Sequence, residues 1–428
     1  MKVSYRQDIK KTIATYYLES EDFNGISLIT LMLKYANHTL LLKRLSELVT
    51  TGHIGVLDLE TDENPHILRI GFEDKDTQVK KIFGVNGYHI CIYPKRMLLE
   101  QYIERAKYTY EPYRLELALG EPQLSYRVFD LAVLENYRND PRYSYKSDDL
   151  HGSIQICSET SNATPLAENE KIFIRTFGFA YNENYDRVVA VFLRYLSKLS
   201  PEHQMIWKAK EVSGEYKLNY DYYMSSINGQ FPTRLPIFQA ICMEMYIVNQ
   251  MTQAILNRPL FRMDFGKYGE DRPEKLAYLL RPTLDEFNTF IILLNNVLVD
   301  NIDTIAFESY LDLYVVEHNN DGTTSRVPIG GLKLLNEWFR KYYKTEQWEV
   351  WDKSYASLKL IRKTRQKPAH TVQRNVYDQD FIHKQRDLVV QAYDAVRTIR
   401  MMLENHPDAR PLQSIVSKEL RNGLVWIM

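Results

Sequence analysis

From residue 235 onward, apolar side chains recur at the three-and-four spacing of an α-helix, and this repetition narrows the architectures open to the chain more than any other feature. Residues 235–256 accommodate one long helix. Thr283 with Glu286 forms a capping-box start for a second, whose Leu284, Phe287, Ile291, Leu294 and Leu298 share one face. Leu332, Leu335, Phe339 and Tyr342 mark a third, and residues 351–365 a fourth. A last long helix over 380–405 turns Leu388, Ala392, Ala395, Val396, Ile399 and Leu403 inward and is closed by Pro407. Between residues 311 and 329 an Asn-Asn-Asp-Gly turn separates two β-prone runs, so a hairpin interrupts the helices. Stripes of this length bury against one another, which predicts an antiparallel bundle. The tail, Leu424-Val425-Trp426-Ile427-Met428, is too apolar for solvent and is expected to dock on the body or on a second subunit.

Between the last two helices lies IRKTRQKPAHTVQRN, residues 361–375. Here Arg362, Lys363, Arg365, Lys367 and Arg374 surround His370, and no acidic residue appears before Asp378. Such a concentration of positive charge attracts an anion. Pro368 lacks a backbone N–H and disfavours the α region for Lys367, so a helix carrying Arg365 is expected to end or kink there. Proline suits the first position of a new helix, which would set His370 in that helix's first turns, beside its positive end. A guanidinium donates two hydrogen bonds to phosphate oxygens, and an imidazole serves as acid or base near neutral pH. Arg365 and His370 are therefore the candidate catalytic pair, with Arg362, Lys363, Lys367 and Arg374 as phosphate-positioning groups. The bland alternative is a helix junction in which the arginine binds carbonyls and the histidine fills a half-buried position.

A helix, then Arg365-x4-His370, then a long amphipathic helix resembles the HEPN superfamily (higher eukaryotes and prokaryotes nucleotide-binding), whose motif is an arginine followed at short interval by a histidine. The resemblance covers roughly the last third of the chain. It implies a helical domain that dimerises, two Arg/His pairs facing each other across the interface, and RNA cleavage without a metal. By position the implied pair is Arg365 and His370; Gln366 stands where active members often carry Asn, Asp or His. The biological role implied is prokaryotic conflict, as in antiphage defence or a toxin.

Ahead of residue 235 the pattern is mixed. Ile9, Ile13, Tyr16 and Tyr17 form one helical stripe, residues 26–35 a second short helix, and Leu41, Leu45 and Leu48 a third, stopped by Gly52. Two β-rich runs at 54–59 and 67–72 are joined by the turn-forming residues 61–65. Three helices and a β-wing resemble a winged helix-turn-helix over residues 1–75. Its third helix would present Asn37, His38, Thr39, Lys43 and Arg44 to phosphates and base edges. The wing is acidic at Asp58, Glu60, Asp62 and Glu63, which repels a phosphate backbone, so a DNA partner and a protein partner both stay open. Residues 76–260 read as an α+β middle. It has β-prone runs at 88–93, 126–134, 153–157 and 171–179, a helix over 185–199 packed on them, and loops at 160–170 and 228–232. His203, Trp207, Lys208 and Lys210 are residue types that grip single strands, or equally a surface helix and its turn.

At 428 residues the chain exceeds one core, so two or three domains are expected. A net charge of −1 confines nucleic-acid contact to local patches. Cys91, Cys157 and Cys242 are odd in number and scattered, which gives neither a disulfide framework nor a zinc cluster and fits a reducing cytoplasm. The amino terminus lacks an apolar signal region, and the most apolar run, 290–299, is interrupted by Asn295 and Asn296, so no membrane span is expected. Phosphate-loop, dinucleotide, zinc-hydrolase and nucleophile-elbow motifs are all missing, which argues against those chemistries. The expectation is an α+β multidomain chain: a winged-helix-like module at 1–75, a sensor or regulatory middle at 76–260, and a HEPN-like all-α bundle at 261–428 with a hairpin insertion. It would act as a homodimer on RNA, with no cofactor and no metal. The alternative is a non-catalytic nucleic-acid-binding regulator or dimeric scaffold.

Overall fold

The computed structural model describes residues 4–58, 71–84, 89–148, 150–157, 166–184, 186–230, 232–318, 324–370 and 374–427, with the backbone alone for 318 and 367–370. The chain divides into two units. One comprises Met1–Tyr145 with Ser153–Asn219, the other Lys146–Gly152 with Tyr220–Met428.

The first unit opens with α1 (Tyr5–Glu19), α2 (Leu28–Lys34) and α3 (His38–Thr50). Each starts on a residue that satisfies a free N–H of the first turn: Ser4, Ser27 and Asn37 accept from Gln7, Thr30 and Leu40. Ile9, Ile13, Leu31, Leu41, Leu45 and Leu48 are buried together. Tyr16, expected inward, is exposed, and Tyr17 alone turns in. Gly52, at φ +74°, takes the left-handed conformation that leads the chain from α3 into β2 (Ile54–Asp58). The expected wing is different in kind. The antiparallel partner of β2 is β3 (Ile90–Pro94), whose other edge carries β1 (Ile26–Ser27), giving the order β1-β3-β2. Gly71 and Phe72 are in no strand, α4 (Lys75–Ile82) intervenes, and residues 59–70 lie outside the described ones. Burial explains the choice, because β2 and β3 are buried along their whole length. Gln78 on α4 fastens the insertion, its Oε1 accepting the Val56 N–H at 3.0 Å.

A six-stranded sheet follows, carried by this unit except for residues 146–147 and 151–152 at the ends of two of its strands, which group with the second unit. Its strands are β4 (Tyr126–Phe129), β5 (Tyr143–Ser147), β6 (His151–Ile156), β7 (Phe173–Tyr181) and β8 (Arg187–Phe192), in the order β4-β8-β7-β6-β5, with β9 (Lys217–Leu218) on the end of β7. The helix expected over 185–199 is thus mostly the interior strand β8, followed by a single turn, Leu193–Leu196. A strand covered on both faces spells its apolar residues as a run, here Val188 to Phe192, rather than an alternation. Helix α5 (Pro201–Lys208) sets Trp207 edge-on against Phe129 of β4, with Trp207 fully buried and His203 nearly so, so neither ring offers a face to a nucleic acid.

The second unit is the helical one. Its long members are α6 (Ile237–Leu256), α7 (Leu284–Leu298), α8 (Gly331–Tyr342), α9 (Trp348–His370) and α10 (Asp380–Leu403). Helix α10 lies between α6 and α9, and α7 packs on α9. Every residue expected to face inward on α10 is buried, from Leu388 to Leu403, whereas Tyr342 of α8 is exposed. The hairpin insertion is β11 (Tyr314–His318) against β12 (Thr324–Pro328), antiparallel, with its turn residues outside the described ones. The tail docks on its own body, β13 (Val425–Trp426) pairing in parallel with β10 (Leu235–Pro236). Helix α9 runs on through Pro368 to His370, so neither the break nor the second helix start occurs. With the proline two residues from the end, only the Thr364 carbonyl loses its donor. His370 therefore stands at the carbonyl end of a helix, where the macrodipole is negative. Among the described residues no helix is long and apolar enough to cross a membrane.

Candidate functional site

Helix α9 has a divided surface. Trp351, Ser354, Leu358 and Ile361 recur every three or four residues and are buried against the bundle. The rest of its circumference carries Lys353, Lys359, Arg362 and Lys363, while Arg365, four residues past Ile361, continues the buried seam; from Lys353 to Lys367 the sequence has no carboxylate. Arg362 and Lys363 are exposed and Arg365 half-buried. The apolar seam fixes which way this row faces, and the bundle cannot neutralise it from the same helix.

Arg365 is held from the neighbouring helix. Its Nη2 lies 3.4 Å from Oδ2 of Asp300, two residues past the end of α7. The same carboxylate oxygen accepts the Asn295 Nδ2 hydrogen bond at 2.7 Å. Asn295 is fully buried, and its carbonyl caps the end of α7 by accepting the N–H groups of Val299 and Asp300 at 2.8 and 3.0 Å. Its side-chain Oδ1 has no hydrogen-bond partner. The asparagine that breaks the most apolar run of the sequence is thus the anchor of a small polar cluster under Arg365. That interruption was the one signal in the sequence for it; Asp300, distant in sequence from Arg365, gave none.

Arg365 and His370 share the last turns of α9. Five residues of α-helix separate their Cα atoms by about 7.5 Å along the axis and about 140° around it. The side chains of Lys367 and His370 lie outside the described residues. Arg374 is exposed beyond the helix. Asn375 next to it has a structural task, its Oδ1 accepting the Asp285 N–H at 3.1 Å while the Val376 carbonyl takes that of Leu284 at 2.9 Å. In the first unit, His38 and Thr39 begin α3 and are exposed, as is Lys43; the His38 ring also meets the Met32 carbonyl at 3.1 Å. Arg44 is tied to Glu47 at 2.8 Å on the same helix, and Asn37 is spent on the cap. Among the described residues no three His, Cys, Asp or Glu side chains are grouped to hold a metal ion.

No family model, no curated protein and no solved structure matches this chain.

Proposed function

We propose that the chain is a metal-independent endoribonuclease of HEPN type in which α9 is the RNA-binding element and Arg365 and His370 the catalytic pair. One observation carries this: a helix firmly seated in a bundle turns Lys353, Lys359, Arg362 and Lys363 toward solvent, with no carboxylate in the sequence from Lys353 through Arg365. In the reaction a base removes the proton of a ribose 2′-hydroxyl, the oxygen attacks the adjacent phosphorus, and the P–O5′ bond breaks as the leaving oxygen is protonated. The products are a 2′,3′-cyclic phosphate and a 5′-hydroxyl. His370 supplies acid or base, and Arg365 stabilises the phosphorane charge. A second copy would supply the other histidine.

For that second copy the groove between α9 and α10 is suited. It encloses about 970 Å³ and is rimmed by Val350, Leu360, Met401 and Ile427. Its cations Lys353, Arg386 and Arg397 and its carboxylates Asp387 and Asp394 complement each other under a two-fold axis. The β1-β3-β2 sheet on three helices supports a winged-helix-like module that takes DNA or a protein through α3. An RNA toxin or antiphage role in the cytoplasm, with the large sheet as sensor, completes the proposal. The second reading, a non-catalytic scaffold, is favoured by the Asp300 ion pair that engages Arg365 inside the fold.

Purified protein and a His370→Ala variant are incubated with tRNA and mRNA in excess chelator and the ends analysed. Cyclic phosphate ends from the parent alone are expected. RNA bound by both and cut by neither, across RNA classes and with candidate activators added, would leave the scaffold.

A further inference from the structure

We propose that Asp300 is a latch on the site: it withholds Arg365 from RNA, and displacement of its carboxylate by a substrate phosphate is the step that arms the arginine. The inference rests on the RNA reading of α9 and adds its regulation. Among the described cations of α9 from Lys353 to Arg365, Arg365 alone is drawn into an ion pair. The partner is built to stay where it is. Asp300 is anchored twice to the buried Asn295, by its own N–H at 3.0 Å and by its carboxylate at 2.7 Å, and so cannot follow the arginine. Arg365 is the movable half, a long side chain about one-third exposed whose nearest approach to the carboxylate is 3.4 Å.

This geometry decides between holding and blocking. A bidentate pair would orient the guanidinium and leave its outer edge for substrate. A contact this long orients little, yet it places a fixed negative charge where a phosphate on Arg365 would have to sit, and like charges at that range repel. A pair this exposed is worth at most about fivefold in an equilibrium, so an RNA that engages Arg365 binds at most about fivefold more weakly than it would without the pair.

The test measures binding of a single-stranded RNA oligonucleotide in a His370→Ala background, which keeps the RNA intact, at a series of salt concentrations. Asp300→Asn keeps the shape and removes the charge. It is expected to tighten binding two- to fivefold at low salt and to steepen the slope of log K against log salt by about 0.7, one more phosphate contact. Adding Arg365→Ala should abolish both gains. In the His370 chain, Asp300→Asn should raise cleavage by a similar factor. Equal slopes for parent and Asp300→Asn, both folded and both binding RNA, overturn the latch alone, as does a gain that survives Arg365→Ala. RNA bound by neither chain overturns the RNA reading itself.

Discussion

At the scale of single residues, the buried histidine of the first unit makes a firm statement about pH. Trp207 can only donate, and its Nε1 meets the Tyr137 oxygen at 3.1 Å, so the Tyr137 hydroxyl proton is free to go to His203 Nδ1 at 2.9 Å. The ring is then neutral, with its proton on Nε2, and burial holds its pKa below the ordinary 6.5. In the unfolded chain the same ring takes a proton near the ordinary value, so the unfolded state binds more protons below it. The contribution of His203 to stability is complete above 6.5 and is lost as the pH falls toward the lowered native value. His203→Asn retains an acceptor for Tyr137 but cannot be charged. Urea midpoints measured between about pH 5 and pH 7 should fall with acid more steeply in the parent than in the variant; parallel curves would assign the acid sensitivity elsewhere. Nothing in the sequence distinguished this histidine from a nucleic-acid-facing one, because the deciding fact is which side of α5 meets the sheet.

At the scale of elements, legibility followed the period. Long amphipathic helices such as α7 and α10 could be read to within a few residues, since one face of each must be buried and the sequence says which. Strand β8 could not, because a strand covered on both faces loses its alternation. Nor could the passage of α9 through Pro368, since one lost hydrogen bond in a last turn is outweighed by the helix ahead of it, seated through Trp351, Leu358 and Ile361. The candidate site was legible as a cluster of charge but not as a geometry, for Asp300 and Asn295 reach Arg365 from another helix. What clamps α6 to α10 was equally hidden: Arg400 donates to both oxygens of Glu244, all but completely buried, and to Glu404. Burial pushes the Glu244 carboxyl upward while the guanidinium pulls it back. Removing one partner strands the other charge. Glu244→Ala should cost about 3 kcal/mol by urea unfolding, the lower end because Glu404 remains, and the double change Glu244→Leu with Arg400→Met should recover most of it. Additive losses in the double variant would mean that packing, not stranded charge, sets the cost.

At the scale of the whole molecule, the distribution of core predicts how the chain can be cut. One large apolar cluster of the described residues runs from Ile237 to Leu420 and draws every member from the second unit, including Phe238, Trp338, Trp351 and Val396. Its edges are closed by its own chain, since β13 returns to β10 at the start of α6. A segment of this length with one continuous core falls well within the size range of independently folding domains. Tyr220–Met428 alone should therefore be helical by circular dichroism and melt in one cooperative transition. It would lack only Lys146–Gly152 of its unit, where the Ser147 carbonyl accepts from Arg272 at 2.5 Å, a part-buried hydrogen bond whose loss should cost about 1 kcal/mol. Because α7, α9, Asp300 and Asn295 all lie within this fragment, it should also keep whatever RNA affinity the full chain has, with the same response to Asp300→Asn. A fragment that folds but has lost RNA binding would move the interface, or part of it, to the first unit. One that melts without a cooperative transition would show that the helical core depends on the sheet-bearing unit for its order.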